Sequence, residues 1–542
     1  MKKLLALLFA LTLVVSAAAG CSTPAESDGE KIFTYADAVE PVSIDTSLTS
    51  DSMGGDVLYH LSEGLVRYSG GEIIAGVAED WEISEDGLTY TFFLRDSVWE
   101  DGEPVTAYDF EYAFLRFLSP DTASTTVEIA YDIVNARAFN TGEITDASEV
   151  GVKALDETTF EITLERSLPY FLSLLASRAS FYPLRQDFVE AAGSNYATSP
   201  EHFLSNGPFI LAEWQHEASL TMTKNETYWN ADAVNLDGIE LLVIPDANTR
   251  LSMFDSGELD YVSSLPSGQE VNYPDHNLRS AGNVAFLQFN MAGKTAESGA
   301  LTSNANFRNA LSYAIDRDAY NAAAVSPFAE SANRFAHPTH AGVNGNFVDE
   351  YPVQNTVPLT GDTDKAQEYL ELALEELGTS IDQLPTLTFV TFEIPARRTV
   401  AEALIDTWER VLGLTNIEIQ MLPIPQAIQG AAMGEYDIYY QTMGADIDPY
   451  IFLAYWRSTG GINWTRWGSP AYDELIDAVN NILDPAERFA KLQEAEQYLL
   501  DNGPFVMLTY ENFAYVQQDY VTGLDTSYGG AAAKLIYTDL TK

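Results

Sequence analysis

Two carboxylates, Asp446 and Asp448, stand two residues apart at the mouth of the apolar run GADIDPYIFLAYW, residues 444–456. A charge is costly to bury unless something pairs with it. Asp448 directly precedes Pro449, and proline is favoured at the first helical position. Asp448 is therefore expected to be an N-cap, accepting from free amides of the first turn; as a cap alone its loss should cost about 0.5–2 kcal/mol. Asp446 has no such structural duty. It sits in a loop after the expected strand 436–443 and the turn at Gly444 and Ala445, and the carboxyl end of a strand in an α/β lobe is where ligand crevices form. A carboxylate there can meet a ligand's cation or face water. His337 and His340 form a second close pair, HPTH. Pro338 disfavours a regular helix there, and two ordinary loop histidines compete with a metal pair. Gly293-Lys294-Thr295 copies the end of a P-loop, but position 288 is Gln288 where the first glycine is required. No H-E-x-x-H or G-x-S-x-G occurs. With 80 Asp and Glu in the chain, carboxylates close in sequence say little about acid–base work. We expect no catalysis, no cofactor and no metal.

The chain has 542 residues, more than one core usually holds, so two or three lobes are expected. Hydrophobic residues make up 46% and aromatics 12%, a globular composition. The formal net charge of -52 repels phosphates and argues against nucleic-acid binding. The N-terminus, MKKLLALLFALTLVVSAAAGCS, has a charged start, an apolar stretch and small residues, as an export signal does. Ala18-Ala19-Gly20-Cys21 resembles a bacterial lipobox, with alanine at position 18 where leucine is usual. Cys21 is the chain's one cysteine, so disulfides and thiolate chemistry are excluded from the body. The reading is a signal peptide over 1–20, lipidated Cys21, and a polar tether to residue 31. It places the protein on the outer face of the cytoplasmic membrane.

Further along, LTYTFFLR (88–95) and TTFEITL (158–164) read as strands, and Thr106 caps an amphipathic helix AYDFEYAFLRFL. They form an expected α+β lobe over 65–185. SNGPFIL and GIELLVI read as strands, and Asn306 is expected to head the helix NFRNALSYAIDRDAY. From about 286 to 512, helices and strands alternate as in an α/β lobe.

The stretch GVAEDWEISEDGLTYTFFLRDSVWEDGEPVTAYDFEYAF (76–114) closely resembles the signature of the family 5 extracellular solute-binding proteins, the peptide-binding subunits of ABC importers. YHLSEGLVRY (59–68), SNGPFIL (205–211), KNETYWN (224–230), FRNALSYAIDR (307–317) and DPAERFAKLQEAEQYLLDNGPFVMLTY (484–510) fit it in order. The resemblance implies an α/β, two-lobed fold of periplasmic-binding-protein type II with an extra α+β lobe. Lobe I would take 32–64, 186–285 and 513–542, lobe II 65–185, and lobe III 286–512, with hinges near 285 and 512. Peptide would be trapped in the interlobe cleft and delivered to an ABC permease by a monomer.

By the same resemblance Asp446 meets the peptide amine, with Met443, Gly444 and Ala445 beside it. Ser52 and Met53 fall on a strand edge that pairs with peptide backbone, and Asn463 and Trp464 line the cleft. Tyr440 stands six residues before Asp446, where some relatives that bind short peptides carry a basic residue; a fit to one short length is therefore not implied. Some relatives of this fold bind nickel chelates, haem or oligosaccharides instead, and sensing competes with import.

Overall fold

Two thirteen-residue strands, Asn277–Phe289 and Phe505–Gln517, lie antiparallel at the middle of an eleven-stranded sheet. The computed structural model describes residues 29–266, 268–354, 356–444, 448–480 and 482–541. On one side of the long pair the order continues through Ile438–Gly444, Leu387–Phe392 and Ile417–Leu422. These last three run parallel and alternate in sequence with helices Pro395–Leu412 and Ile424–Met433, as a parallel sheet requires. On the other side come Tyr261–Val262, Ile32–Asp37, Gly238–Val243, Ser219–Lys224 and Phe209–Gln215.

A separate antiparallel sheet orders Ala78–Ile83, Thr89–Leu94, Thr159–Thr163 and Val152–Ala154. Burial alternates residue by residue along Thr89–Leu94, the pattern of a sheet with one covered face. Helix Ala107–Leu118 covers it, and Phe110 and Phe114 meet Phe160 at 5.8 and 5.6 Å between ring centroids. The architecture is thus the two-lobed α/β arrangement with an added α+β lobe. Among the described residues no helix is long and apolar enough to cross a membrane.

One helix start differs from the sequence expectation. Asn304, not Asn306, caps helix Ala305–Tyr313, its side chain accepting from Phe307 N at 2.9 Å. Both asparagines are good caps by type; the amide three residues on from Asn304 is the one left free at the first turn.

Three segments far apart in sequence meet in a buried polar knot. Glu63 Oε2 accepts from Arg67 at 3.1 Å and from the Tyr228 hydroxyl at 2.5 Å. Asn206 and the Glu63 backbone exchange two hydrogen bonds, at 3.0 and 2.9 Å. The Arg67 guanidinium lies 4.7 Å from the centre of the Tyr59 ring. Each of these residues belongs to one of the short stretches 59–68, 205–211 and 224–230, so those stretches hold the fold. Glu63→Ala would leave Arg67, 5% exposed, as a buried charge without its carboxylate. It should cost about 3–5 kcal/mol, measured by urea unfolding of the ligand-free protein.

Candidate functional site

A cavity of about 690 Å³ opens between the two halves of the large sheet, within the usual range for ligand sites. One wall comes from the end of strand Ile32–Asp37, the first turns of helix Ser52–Leu61, Tyr261 and Ser263, and the loop 526–533. Met443, Gly444 and Tyr455 form the facing wall; Ser177 and Arg178 come from the α+β lobe. Arg279, Ser280 and Ala281 lie where the long strand crosses from one half to the other.

At that crossing the pairing slips: Ser280 faces Asn512 and the next partner of Glu511 is Asn283. Gly282 sits in the slip with φ +64, and a Cβ there would lie 1.8 Å from the Tyr528 ring. Only glycine accepts both that conformation and that approach. The slip bends the strand beside the cavity.

Ser52 and Met53 line the cavity, yet not as a strand edge. They form the first turn of helix Ser52–Leu61, capped by Asp51, whose side chain accepts from Gly54 N at 2.8 Å. A Cβ at position 54 would stand 2.3 Å from Thr49 Oγ1 and 2.5 Å from the Ser43 carbonyl oxygen. Gly54, a weak helix former, is there to let the turn pack against 43–49. Met443 and Gly444 end strand Ile438–Gly444 at the facing wall.

Asn463 and Trp464 do not line the cavity. Asn463 spends its amide on the carbonyls of Trp456, Arg457 and Trp467, at 3.2, 3.0 and 3.0 Å, and accepts from Thr465. Trp464 packs on a small core with Tyr439, ring centres 6.2 Å apart. Tyr440 is 1% exposed, with Arg397 stacked 4.9 Å from its ring centre. His337 and His340 are both buried; His337 Nδ1 lies 2.7 Å from Thr339 Oγ1 and its backbone N–H donates to His340 Nδ1 at 3.2 Å. Burial lowers the His337 pKa to about 3. Among the described residues no group of three or more potential ligands gathers for a metal ion. Cys21, Ala445 and Asp446 lie outside the described residues.

Asp448 is the N-cap of helix Pro449–Ala454, accepting from Tyr450 N at 2.8 Å. It has a second duty that its neighbours in sequence do not show. Arg488, forty residues on and 2% exposed, grips both its oxygens at 2.9 and 2.7 Å. Such a bidentate fork is the strong form of the ion pair. The Arg488 guanidinium also lies over the rings of Phe489 and Tyr170, at 5.5 and 5.9 Å. Asp448 is therefore held both by the helix it caps and by Arg488.

Comparison with known proteins adds the following. The family model described as bacterial extracellular solute-binding proteins, family 5 Middle, matches residues 72–464. The oligopeptide-binding protein OppA of Bacillus subtilis is 31% identical over 537 residues, covering 96% of this chain and 95% of that one. The dipeptide-binding protein DppE of the same organism is 29% identical over 510 residues, covering 93% and 91%. Among solved structures, Listeria monocytogenes OppA bound to peptide superposes with a TM-score of 0.69 at 27% identity, covering 95% of this chain and 100% of that one.

The ion pair raises the expected cost of losing Asp448 above that of a cap. Asp448→Ala should lose about 3–5 kcal/mol, because it strands a buried guanidinium. Adding Arg488→Met to it should recover much of that loss, since an apolar pair can replace a buried ion pair. Urea unfolding of the single and double variants reads both.

Proposed function

The chain belongs to the bacterial extracellular solute-binding proteins of family 5, and from that premise we propose that it captures peptides and hands them to the membrane subunits of an ABC importer. The family is one of binding proteins, not of enzymes, and works outside the cytoplasm. The observation that carries the peptide reading is the cavity of about 690 Å³ walled by both halves of the large sheet and by the α+β lobe, together with full-length likeness to OppA and DppE. A ligand held there touches every rigid part at once, so binding favours the state in which the parts are close.

The hinge falls on the two long strands at the slip between Ser280 and Asn283 opposite Asn512 and Glu511. There the ladder is already broken and a change of twist disrupts few hydrogen bonds. The lobes then divide as 32–64, 186–285 and 513–542 against 286–512, with 65–185 carried on the first. Peptide backbone meets polar groups of the walls, and side chains enter the hydrated remainder, which gives affinity with little sequence preference.

Asp446 is the counter-charge for the peptide amine. It follows Gly444, which lines the cavity, by two residues, and it precedes the capped and ion-paired Asp448. The mature protein is held to the membrane through lipid on Cys21, read from the export signal and the lipobox-like sequence before it; several acyl chains together hold a body firmly.

Calorimetry with short peptides tests the reading. Free-amine peptides should bind, and their N-acetylated forms should bind far more weakly; equal affinities would sink the role of Asp446. Asp446→Ala should weaken binding by about 2–5 kcal/mol, as for a buried charge left unpaired. Cys21→Ala in the producing cell should shift the protein from the membrane fraction to the medium or periplasm, read by immunoblot of the fractions; unchanged membrane retention would overturn the anchor.

A further inference from the structure

The wall formed by strand Ile32–Asp37 and helix Ser52–Leu61 carries a pair of acids of its own. Asp37 and Asp56 both line the cavity and both are half-buried. Asp56 Oδ1 accepts from Ala532 N at 3.0 Å and Asp37 Oδ1 from Ala38 N at 2.6 Å. Among the described residues no basic side chain forms an ion pair with either. Asp45, Glu63, Asp448 and Glu496 each have an arginine within 2.5 to 3.1 Å; buried Asp437 is answered by two backbone amides and Asp109 by Thr106, but neither of those two lines the cavity.

Two tyrosines close the recess. Tyr35 is 9% exposed and Tyr261 1% exposed, and both line the cavity. The Tyr261 hydroxyl is buried without a hydrogen-bond partner. Burial raises the pKa of both tyrosines; Asp56 and Asp37 add to it for Tyr35, and for Tyr261 Arg279 opposes it while Tyr515, Asp56 and Asp37 add to it, so the four groups share one electrostatic environment. An aromatic wall with a spare oxygen and two unpaired carboxylates is the chemistry that receives an organic cation.

Arg178 lines the same cavity from the α+β lobe, and three further nitrogen-bearing side chains nearby have other duties. Arg279 donates to the Ser263 carbonyl at 3.0 Å and stacks on Phe513 at 4.9 Å. Lys534 bonds the Ser527 carbonyl oxygen at 2.5 Å and leans toward Asp525 at 3.9 Å. His60, on the same helix, accepts from Leu535 N at Nε2 and turns Nδ1 to the Asp56 carbonyl oxygen at 2.8 Å; burial holds its pKa down to about 4, so it is neutral. Burial pushes the Asp56 carboxyl up to about 7, helped by Asp37 and opposed by the Ala532 amide, Arg279 and Lys534. Asp56 is therefore an acid held in the cavity wall at a cost in charge solvation, as binding groups are.

We propose that Asp37 and Asp56, with Tyr35 and Tyr261, form a subsite for a cationic peptide side chain, that of lysine or arginine. The subsite makes this chain a selective binder of basic peptides. It rests on the peptide reading and adds a second positive group to be recognised, besides the amine.

The test is calorimetry of the purified protein, freed of bound cargo, with two pools of short alanine peptides. One carries a single lysine at varied positions; the other is identical except that the lysine is Nε-acetylated. The lysine pool should bind at least about tenfold tighter. Asp56→Asn and Asp37→Asn should each remove most of that difference. If both pools bind the unaltered protein equally, or if the preference survives both substitutions, the subsite is overturned and the peptide reading stands. If neither pool binds, the peptide reading falls with it.

A stability readout separates the subsite from a merely structural role. The raised carboxyl means that the folded protein holds a proton the unfolded chain releases between about pH 4 and 7, so stability falls across that window. Asp56→Asn should accordingly raise the unfolding midpoint of the ligand-free protein above pH 7 and leave it unchanged near pH 4. A lowered midpoint above pH 7 would mean that Asp56 serves the fold.

Discussion

The backbone hydrogen bonds between Asn277–Phe289 and Phe505–Gln517 are what the molecule is hung on. Each strand belongs to both halves of the large sheet, so neither half has a core independent of the pair. Ile438–Gly444 is paired along one side and Tyr261–Val262 along the other. A ladder this long resists bending because its hydrogen bonds are laid down in series. The ladder shifts register twice, between Ser280 and Asn283 and between Ala285 and Phe286, and Gly282 beneath Tyr528 fixes the first of these. The cavity opens at the same level, with Ser280 and Ala281 in its wall. The first register shift and the cavity thus lie side by side on the same strand.

The long matching stretch 76–114 does not line the cavity. It builds a sheet edge, a turn and a helix, and then docks the α+β lobe on its neighbour. Glu100 and Ser205 exchange two hydrogen bonds, Glu100 N donating at 2.9 Å and Ser205 N at 3.1 Å. Arg95 lies 3.6 Å from the centre of the Trp229 ring. Residues that make a scaffold tolerate little change, because each is committed to partners on another segment. The cavity wall is free of that demand, and its side chains are able to differ with the ligand. A sequence signature of this kind therefore reports the fold more strongly than it reports what the fold holds.

Local signals were legible where one element carries its own explanation. Asp448 before Pro449, Thr106 before an amphipathic run, and the alternation in LTYTFFLR each specify an element from a few adjacent residues, and each element is there. Pairings at long range were not legible. Nothing near Asp448 in sequence points to Arg488, and nothing near Glu63 points to Tyr228. The misread turn at Ser52 and Met53 has the same origin. Two glycines argue against a helix by propensity, while close packing of Gly54 on Thr49 and Ser43 imposes one. The displaced Asn463 and Trp464 follow suit, since an amide and an indole look alike in sequence whether they face a ligand or a carbonyl.

The acids of this chain can be sorted by what answers them. Most of the 80 carboxylates face water, where their charge serves solubility and each interacts weakly with its neighbours. A smaller set is enclosed and answered from within: Glu63 by Arg67, Glu496 by Arg334, and Asp448 by Arg488. These are neutral pairs, and a neutral pair is indifferent to what enters the cleft. Asp37 and Asp56 are enclosed and receive only backbone amides. An amide dipole stabilises a carboxylate without cancelling its charge, so the charge these two acids carry faces the cavity, although burial pushes the Asp56 carboxyl up to about 7 and so reduces its share near neutral pH. On the proposed closure of the lobes, loss of water would strengthen the field of that charge and favour a cation there over an apolar group.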